Sequence, residues 1–337
     1  MIAYDRPLDL LEAAYRLDGT DDEWIEGLVK TATTVFAREG LGGGGFILHA
    51  KLDCDGRPCI ERTSSAFAEG RGMAPSWRVS LTHYPSLPKP LQENLFFGPR
   101  TADTSSVATR LGDRQSQHPD WRERSVFDAS VVGDAIGLVG HAGLLKVVVL
   151  SSALRDTHSL DARSGRLWRR VATHLGTALR LRSDSTTVMQ RAEAILSVKG
   201  GIERVADGVH SGAVKTGFER RRVARRNGEV PDTALDIWQG LVEGRWSLVD
   251  HVDTDGKVFV LALRNDPGRE VASALTDRQR GAVSLASLGY GNKQIAYALG
   301  LSVSAVGMLL TRARAVTGAR TRAELVGQFK REMVAQA

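Results

Sequence analysis

The sequence predicts a multidomain α+β chain, on three observations. At 337 residues it is too long for one ordinary hydrophobic core. Its front part alternates helix-period stretches with pairs of strand-like stretches around Gly-containing turns. The stretch from Leu275 to Ala337 instead carries four short helix patterns in succession. These features divide the chain into residues 1–185, 186–268 and 269–337.

Composition fits soluble globular domains, with 42% hydrophobic and 25% charged residues. No apolar run reaches the roughly 18 residues that a membrane span needs. The N-terminus, MIAYDRPLDLLEAAYRLDG, is acidic and amphipathic, unlike a signal peptide. Cys54 and Cys59 flank an expected Asp55-Gly56 turn. Two cysteines alone suit a reducing compartment and lack the further ligands of a metal site. A cytoplasmic location is the expectation.

In the first part, a helix is expected from Asp21 or Asp22 to about Arg38, with Trp24, Leu28, Ala32, Val35 and Phe36 along one side. Gly42–Gly45 reads as a turn; it lacks the Gly-Lys-Ser/Thr that would make it a phosphate loop. Phe46–Leu52 and Arg57–Arg62 form a hairpin pattern about Asp55-Gly56. A Pro-rich, polar middle follows, from Pro75 to about Glu123. Asp134–His141 and Lys146–Ser152 read as strands joined at Ala142-Gly143. Leu160–Leu181 reads as a long helix with Leu167, Val171, Leu175, Ala178 and Leu179 in register. Helix, hairpin, variable middle, hairpin, helix is an order similar to that of a GAF domain. The resemblance implies an α/β sensor that binds a small molecule or a protein effector, or serves as a dimerisation scaffold.

In the second part, Ala192–Ser197 and Gly201–Ala206 read as strands around Lys199-Gly200. A basic helix, Gly212–Arg226, follows, then a helix Asp232–Val242 containing Trp238. Trp246–Val252 and Lys257–Leu263 form a hairpin about Asp255-Gly256. This layout resembles a small PAS-like α+β module. The string Asp236-Ile237-Trp238 through Trp246-Ser247-Leu248-Val249 also resembles a region found ahead of the DNA reader in LuxR-type regulators. Arg264–Gly268 reads as a linker. The run from Arg220 to Arg226 holds five arginines; a solvated helix face paired with nearby acids is the favoured reading, with a second DNA-backbone contact or an acidic partner as the alternative.

The last part gives the clearest signals. Thr276 followed by Gln279 is a capping-box pattern opening a helix with Ala282, Val283, Leu285, Ala286 and Leu288 on its apolar face. Gly289 stops it and Gly291 loosens the turn. Asn292 is the expected N-cap of the next helix, with Ile295, Ala296 and Leu299 inward and Gly300 at its end. Ser302 or Ser304 caps the third, with Val306, Leu309, Leu310 and Ala313 inward and Gly318 at its end. Thr321 and Glu324 form a second capping-box pattern before Leu325, Val326 and Phe329. Closely spaced helices joined by small-residue turns are the layout of a helix-turn-helix.

This segment resembles the LuxR-type helix-turn-helix domain. The resemblance rests on Leu275-Thr276 with Arg278, Gly289, Asn292–Ala296, Leu299–Ser302, Val306 and Arg322–Leu325. It implies that Ser302 to about Val316 is the recognition helix and that the last helix dimerises. The sequence departs from the family at Gln279 (usually Glu), Ala305 (Thr), Gly307 (Lys) and Leu309 (His). The DNA-contacting residues that remain are Lys293, Ser302, Ser304, Thr311, Arg312, Arg314, Arg320 and Arg322. Arg312 and Arg314 lie on different sides of the helix, which suits phosphate contacts rather than a paired base reader.

Charge supports this independently. Nine of the 45 basic and three of the 39 acidic residues lie between Val271 and Ala337, so everything before Val271 balances at 36 each. The chain's whole +6 excess therefore sits in this one segment, the footprint of a phosphate-binding surface.

Catalytic chemistry is not visible. The histidines His83, His118, His141, His158, His174, His210 and His251 fall at no ligand spacing, and neither a nucleophile elbow nor an acid pair of a phosphoacceptor domain is present. The chain is therefore expected to be a dimeric, DNA-binding transcription regulator and not an enzyme, with no cofactor or metal. Its expected partners are double-stranded DNA, a second copy of itself, an effector at the front domain and RNA polymerase, with no membrane. The alternative is a protein-interaction adaptor whose altered helix-turn-helix docks a protein.

Overall fold

The protein is described from a computed structural model, over residues 7–36, 41–52, 58–70, 102–104, 131–143, 145–156, 160–182, 188–226, 246–252, 255–264 and 275–336. It is mixed α+β and forms two compact units, Met1–Ala14 with Asp18–Leu179, and Tyr15–Leu17 with Arg180–Ala337.

The first unit opens with α1 (Pro7–Ala14) and α2 (Asp21–Phe36). Thr20 starts α2 through a capping box: Glu23 N donates to Thr20 Oγ1 at 3.2 Å, and Thr20 N donates back to Glu23 Oε2 at 2.7 Å. The Trp24 indole donates to the Ala14 carbonyl at 2.9 Å and ties the two helices together. The sheet comprises β1 (Gly43–Leu52), β2 (Pro58–Ala68), β3 (Ala102–Thr104), β4 (Asp134–His141) and β5 (Lys146–Leu154). Its order is β2-β1-β5-β4-β3, antiparallel throughout. Helix α3 (Ala162–Arg182) follows, with Leu167, Val171, Leu175, Ala178 and Leu179 all buried as their spacing predicts.

Only Gly42 of the Gly42–Gly45 run turns, at φ +88°; Gly43–Gly45 lie inside β1. The physical reason is crowding. A Cβ on Gly45 would sit 2.7 Å from Val29 and 2.9 Å from Ile25, so its absence lets α2 lie close against the sheet. β2 also extends to Ala68, past the expected Arg62, because it pairs with β1 back to Gly43.

The second unit contains a short helix α4 (Val188–Arg191) and an antiparallel sheet. Its strands are β6 (Ala192–Ser197), β7 (Ile202–Val205), β8 (Trp246–Val252) and β9 (Val258–Arg264), in the order β7-β6-β9-β8. Gly200, at φ +86°, makes the β6–β7 turn, and Gly256, at φ +76°, sits in the β8–β9 turn. Helix α5 (Ser211–Arg226) lays Val214 and Phe218 on Ala194, Leu196, Trp246, Leu248, Val260 and Ala262 to close a small core. Arg222 of the arginine run donates to Glu219 at 2.9 Å, an exposed i, i+3 pair as a solvated face would have.

The expected Asp232–Val242 helix with Trp238, the Asp55-Gly56 turn, Cys54, His83, His118, His158 and most of the Pro75–Glu123 middle lie outside the described residues. No single described helix is long and apolar enough to cross a membrane.

Candidate nucleic-acid interface

Four helices close the chain: α6 (Asp277–Ser287), α7 (Asn292–Leu299), α8 (Val303–Thr317) and α9 (Arg322–Gln336). Both halves of the α6 capping box form. Gln279 N donates to Thr276 Oγ1 at 3.4 Å, and Thr276 N donates to Gln279 Oε1 at 2.9 Å. Asp277 in the first turn suits the positive helix end and pairs with Arg264 at the end of β9 and with Arg280 at 3.0 Å.

The α6–α7 corner is built on Tyr290. Gly289 takes φ +84°, and Tyr290 N reaches back to the Leu285 carbonyl at 3.2 Å. The Tyr290 side chain is fully buried, and that burial raises its hydroxyl well above the usual phenol range, with Arg180 pulling the other way. The N-cap of α7 is Gly291, not Asn292 as expected. Asn292 is instead the first helical residue. Its Oδ1 accepts from Arg322 Nη1 at 2.8 Å, and Arg322 Nη2 donates to the Tyr290 carbonyl.

Three residues separate α7 from α8. Gly300 adopts φ +64°, Leu301 N bonds back to the Ala296 carbonyl at 2.8 Å, and Ser302 then caps α8 by accepting from Ala305 N at 3.1 Å. The left-handed glycine ends one helix and the hydroxyl begins the next within that span. The two helix axes bend by 102° across it. Val306, Leu310 and Ala313 hold α8 inward. Leu309, expected among them, is only half-buried.

The candidate residues fall into three groups. Ser302, Ser304, Thr311 and Arg312 are exposed along α8, and Lys293 is exposed in the first turn of α7. Ser304 Oγ lies 3.0 Å from Ser302 Oγ, so these two hydroxyls face each other at the helix start. Arg314 and Arg320 meet at the far end, where Arg314 Nη1 donates to the Arg320 carbonyl at 3.2 Å. Glu324 Oε2 accepts from Arg320 N at 2.9 Å while Glu324 N donates to Thr321 Oγ1 at 3.1 Å. The second capping box is therefore displaced by one residue, since the reciprocal amide is that of Arg320 rather than Thr321. Arg322 stands apart, with its guanidinium engaged at the Tyr290 corner.

Three exposed apolar side chains on α8 escaped the sequence reading: Val303 at 46%, Met308 at 56% and Val316 at 51% exposure. A helical projection from Val306 and Ala313 places Met308 on the outward side and Val303 and Val316 at the two edges of the packed face, but apolar residues in a short helix are assigned inward by default. Elsewhere, the sequence reading passed over His49, which faces Asp21 at 3.5 Å and Arg62 at 2.9 Å. Burial, then Lys146 and Arg62, lowers its pKa to about 4. Among the described residues, no three of His, Cys, Asp and Glu converge as a metal site would require.

No protein-family model matches the chain, and no curated protein matches it.

Proposed function

We propose that this protein is a dimeric, cytoplasmic, sequence-specific DNA-binding transcription regulator whose α6–α9 segment is a LuxR-type helix-turn-helix. The observation that carries the reading is the α7–α8 pair. Two helices bent by 102° across a three-residue turn containing Gly300 have the helix-turn-helix geometry, in which the second helix enters the major groove. The confinement of the chain's +6 charge to this segment supplies the phosphate attraction. On this reading α8 is the recognition helix, Lys293 and Arg312 meet phosphates, and α9 forms the twofold contact.

The first unit is a GAF-like sensor that binds a small-molecule or protein effector, a reading supported by its order of helix, hairpin, third strand, hairpin and long helix. The β6–β9 sheet with α5 is a PAS-like linker module. Effector binding sets the spacing of the two recognition helices, which must match half-sites about 34 Å apart. RNA polymerase is the downstream partner of the bound dimer.

A second reading has one observation in its favour. The exposed Val303, Met308 and Val316 of α8 would also suit a protein partner, making the chain an adaptor. Duplex affinity measured against salt separates the two. A reader whose attraction comes from several Lys and Arg loses affinity steeply between about 50 and 200 mM salt. Salt-insensitive binding, or none at low salt, would exclude the regulator and favour the adaptor.

A further inference from the structure

Helix α5 is longer than the core it closes. Of its 16 residues, Ala213, Val214 and Phe218 join that core, all in the first half. The second half, from Glu219 to Arg226, runs on for about two further turns, roughly 12 Å. Its described side chains, Glu219, Arg222 and Val223, are all exposed. The helix also carries six basic residues, Lys215 and five arginines, against one acid, Glu219, a net of +5. The even balance of charge before Val271 hides this local excess. The exposed Glu219 pairs with Arg222 at 2.8 Å. The negative end of a helix favours basic residues in its last turn, which covers Arg225 and Arg226. Arg220 and Arg221 lie before that turn. Like charges at i, i+4, here Arg221 with Arg225 and Arg222 with Arg226, destabilise a helix.

A helix end that outruns its core and repels itself is relieved by a polyanion. Val223 and Ala224 are its only apolar residues, whereas a helix lying on a lipid surface buries a broad apolar face. Helices α6–α9 belong to the same compact unit as α5, so two basic elements share one body. We infer that the arginines of α5 bind phosphates of the duplex that α8 enters, outside the base pairs that α8 covers, and so lengthen the footprint of the reader. Arginine suits this role, since its planar fork matches phosphate oxygens. Such contacts add affinity and fix orientation without reading sequence. The second half of α5 is then a solvated face only until DNA is bound. This inference rests on the DNA-binding reading above and adds a second interface to it.

The test uses the full chain and duplexes enriched by it from a random library. One variant combines Arg220→Gln, Arg221→Gln, Arg225→Gln and Arg226→Gln, which keeps helix propensity and removes four charges. Losing one phosphate contact in each protomer of the proposed dimer should flatten the slope of log affinity against log salt by about 1.8. The parent's advantage over the variant should then shrink about tenfold between about 50 and 200 mM salt. The parent should also gain affinity when the enriched duplex is lengthened by about one helical turn at each end, and the variant should gain far less. Should the fourfold variant lose helix by circular dichroism, Arg221→Gln with Arg225→Gln removes one repulsive pair and carries the same test. Equal slopes and equal gains from the added base pairs overturn the inference and leave the DNA-binding reading standing. Equal slopes together with parent-only binding to phosphatidylserine vesicles overturn it too, and assign these arginines to a lipid surface. If no duplex is enriched and none binds at low salt, the DNA-binding reading itself fails and takes this inference with it.

Discussion

Arg322 donates to Asn292 across 30 residues of sequence, at 2.8 Å, and the same guanidinium also reaches the Tyr290 carbonyl. One side chain from the first turn of α9 thereby fixes the corner that precedes α7. Its planar fork serves the two acceptors from separate nitrogens in a fixed geometry that the single ammonium nitrogen of a lysine does not reproduce.

Arg322→Ala should therefore lower the stability of the second unit by about 1–2 kcal/mol, within the range for hydrogen bonds from charged groups and discounted for partial exposure. Asn292→Ala should cost less, and the double variant less than the sum of the two, because they share one bond. Arg322→Lys keeps the charge but should recover little of the loss. Chemical denaturation of the four variants measures this. Full recovery by lysine would mean that charge, not the fork, matters.

Gly140 on β4 and Gly176 on α3 let strand and helix meet backbone to backbone. A Cβ on Gly140 would lie 2.5 Å from Gly176 N, and one on Gly176 would lie 2.6 Å from His141 N. Neither neighbour is a flexible side-chain end that can swing away. Gly140→Ala and Gly176→Ala should each destabilise the first unit by about 1–3 kcal/mol or more, as overpacking does. Gly307→Ala, in open space, should instead raise helix stability by roughly 0.5–1 kcal/mol. Equal melting temperatures for all three would refute the contrast.

Most elements of this fold were legible because their signals are local. Asp134–His141, Ala192–Ser197 and Trp246–Val252 begin and end where their apolar runs and turns place them. Thr276 and Gln279 lie three residues apart, so their capping box can be read from spacing alone. What was not legible depended on partners far along the chain. Asn292 has the right chemistry for an N-cap, but Arg322, 30 residues on, claims its oxygen. Gly43–Gly45 suggest a turn until Val29, Ile25 and Phe67 are seen crowding them. The candidate interface was legible in its helices and charge, whereas the exposure of Val303, Met308 and Val316 required knowing which side of α8 packs.

His174 gives a pH prediction of defined sign. Burial holds its imidazole down to about 3, against an ordinary 6.5, so it stays neutral in the folded chain. The unfolded chain takes up that proton once pH drops below 6.5 and so binds more protons than the folded one. Stability should be constant above about 6.5 and fall as pH drops toward 3, with a slope approaching 1.4 kcal/mol per unit from this residue. His49, held down to about 4, adds to the loss in the same direction. Urea midpoints between about pH 5 and 7.5 isolate the histidines from most carboxylates. A flat profile there, or one unchanged in His174→Gln, would contradict the assignment.

Arg312 and Arg322 are both basic and both lie in the α6–α9 segment, yet their substitution should be felt in different measurements. Arg312 is exposed on α8, whereas the Arg322 guanidinium is committed to Asn292 and Tyr290. Each phosphate contact contributes about 0.9 to the slope of log affinity against log salt. The proposed DNA-bound dimer would carry each substitution twice, so on that reading Arg312→Ala should flatten the slope by about 1.8 and leave the denaturation midpoint unchanged. Arg322→Ala should lower the midpoint and, measured where the domain is still folded, shift the slope far less. Arg314, held to the Arg320 carbonyl, should fall between the two. If Arg322→Ala flattens the salt slope as much as Arg312→Ala does, its guanidinium leaves the corner on binding and the Tyr290 turn rearranges on DNA.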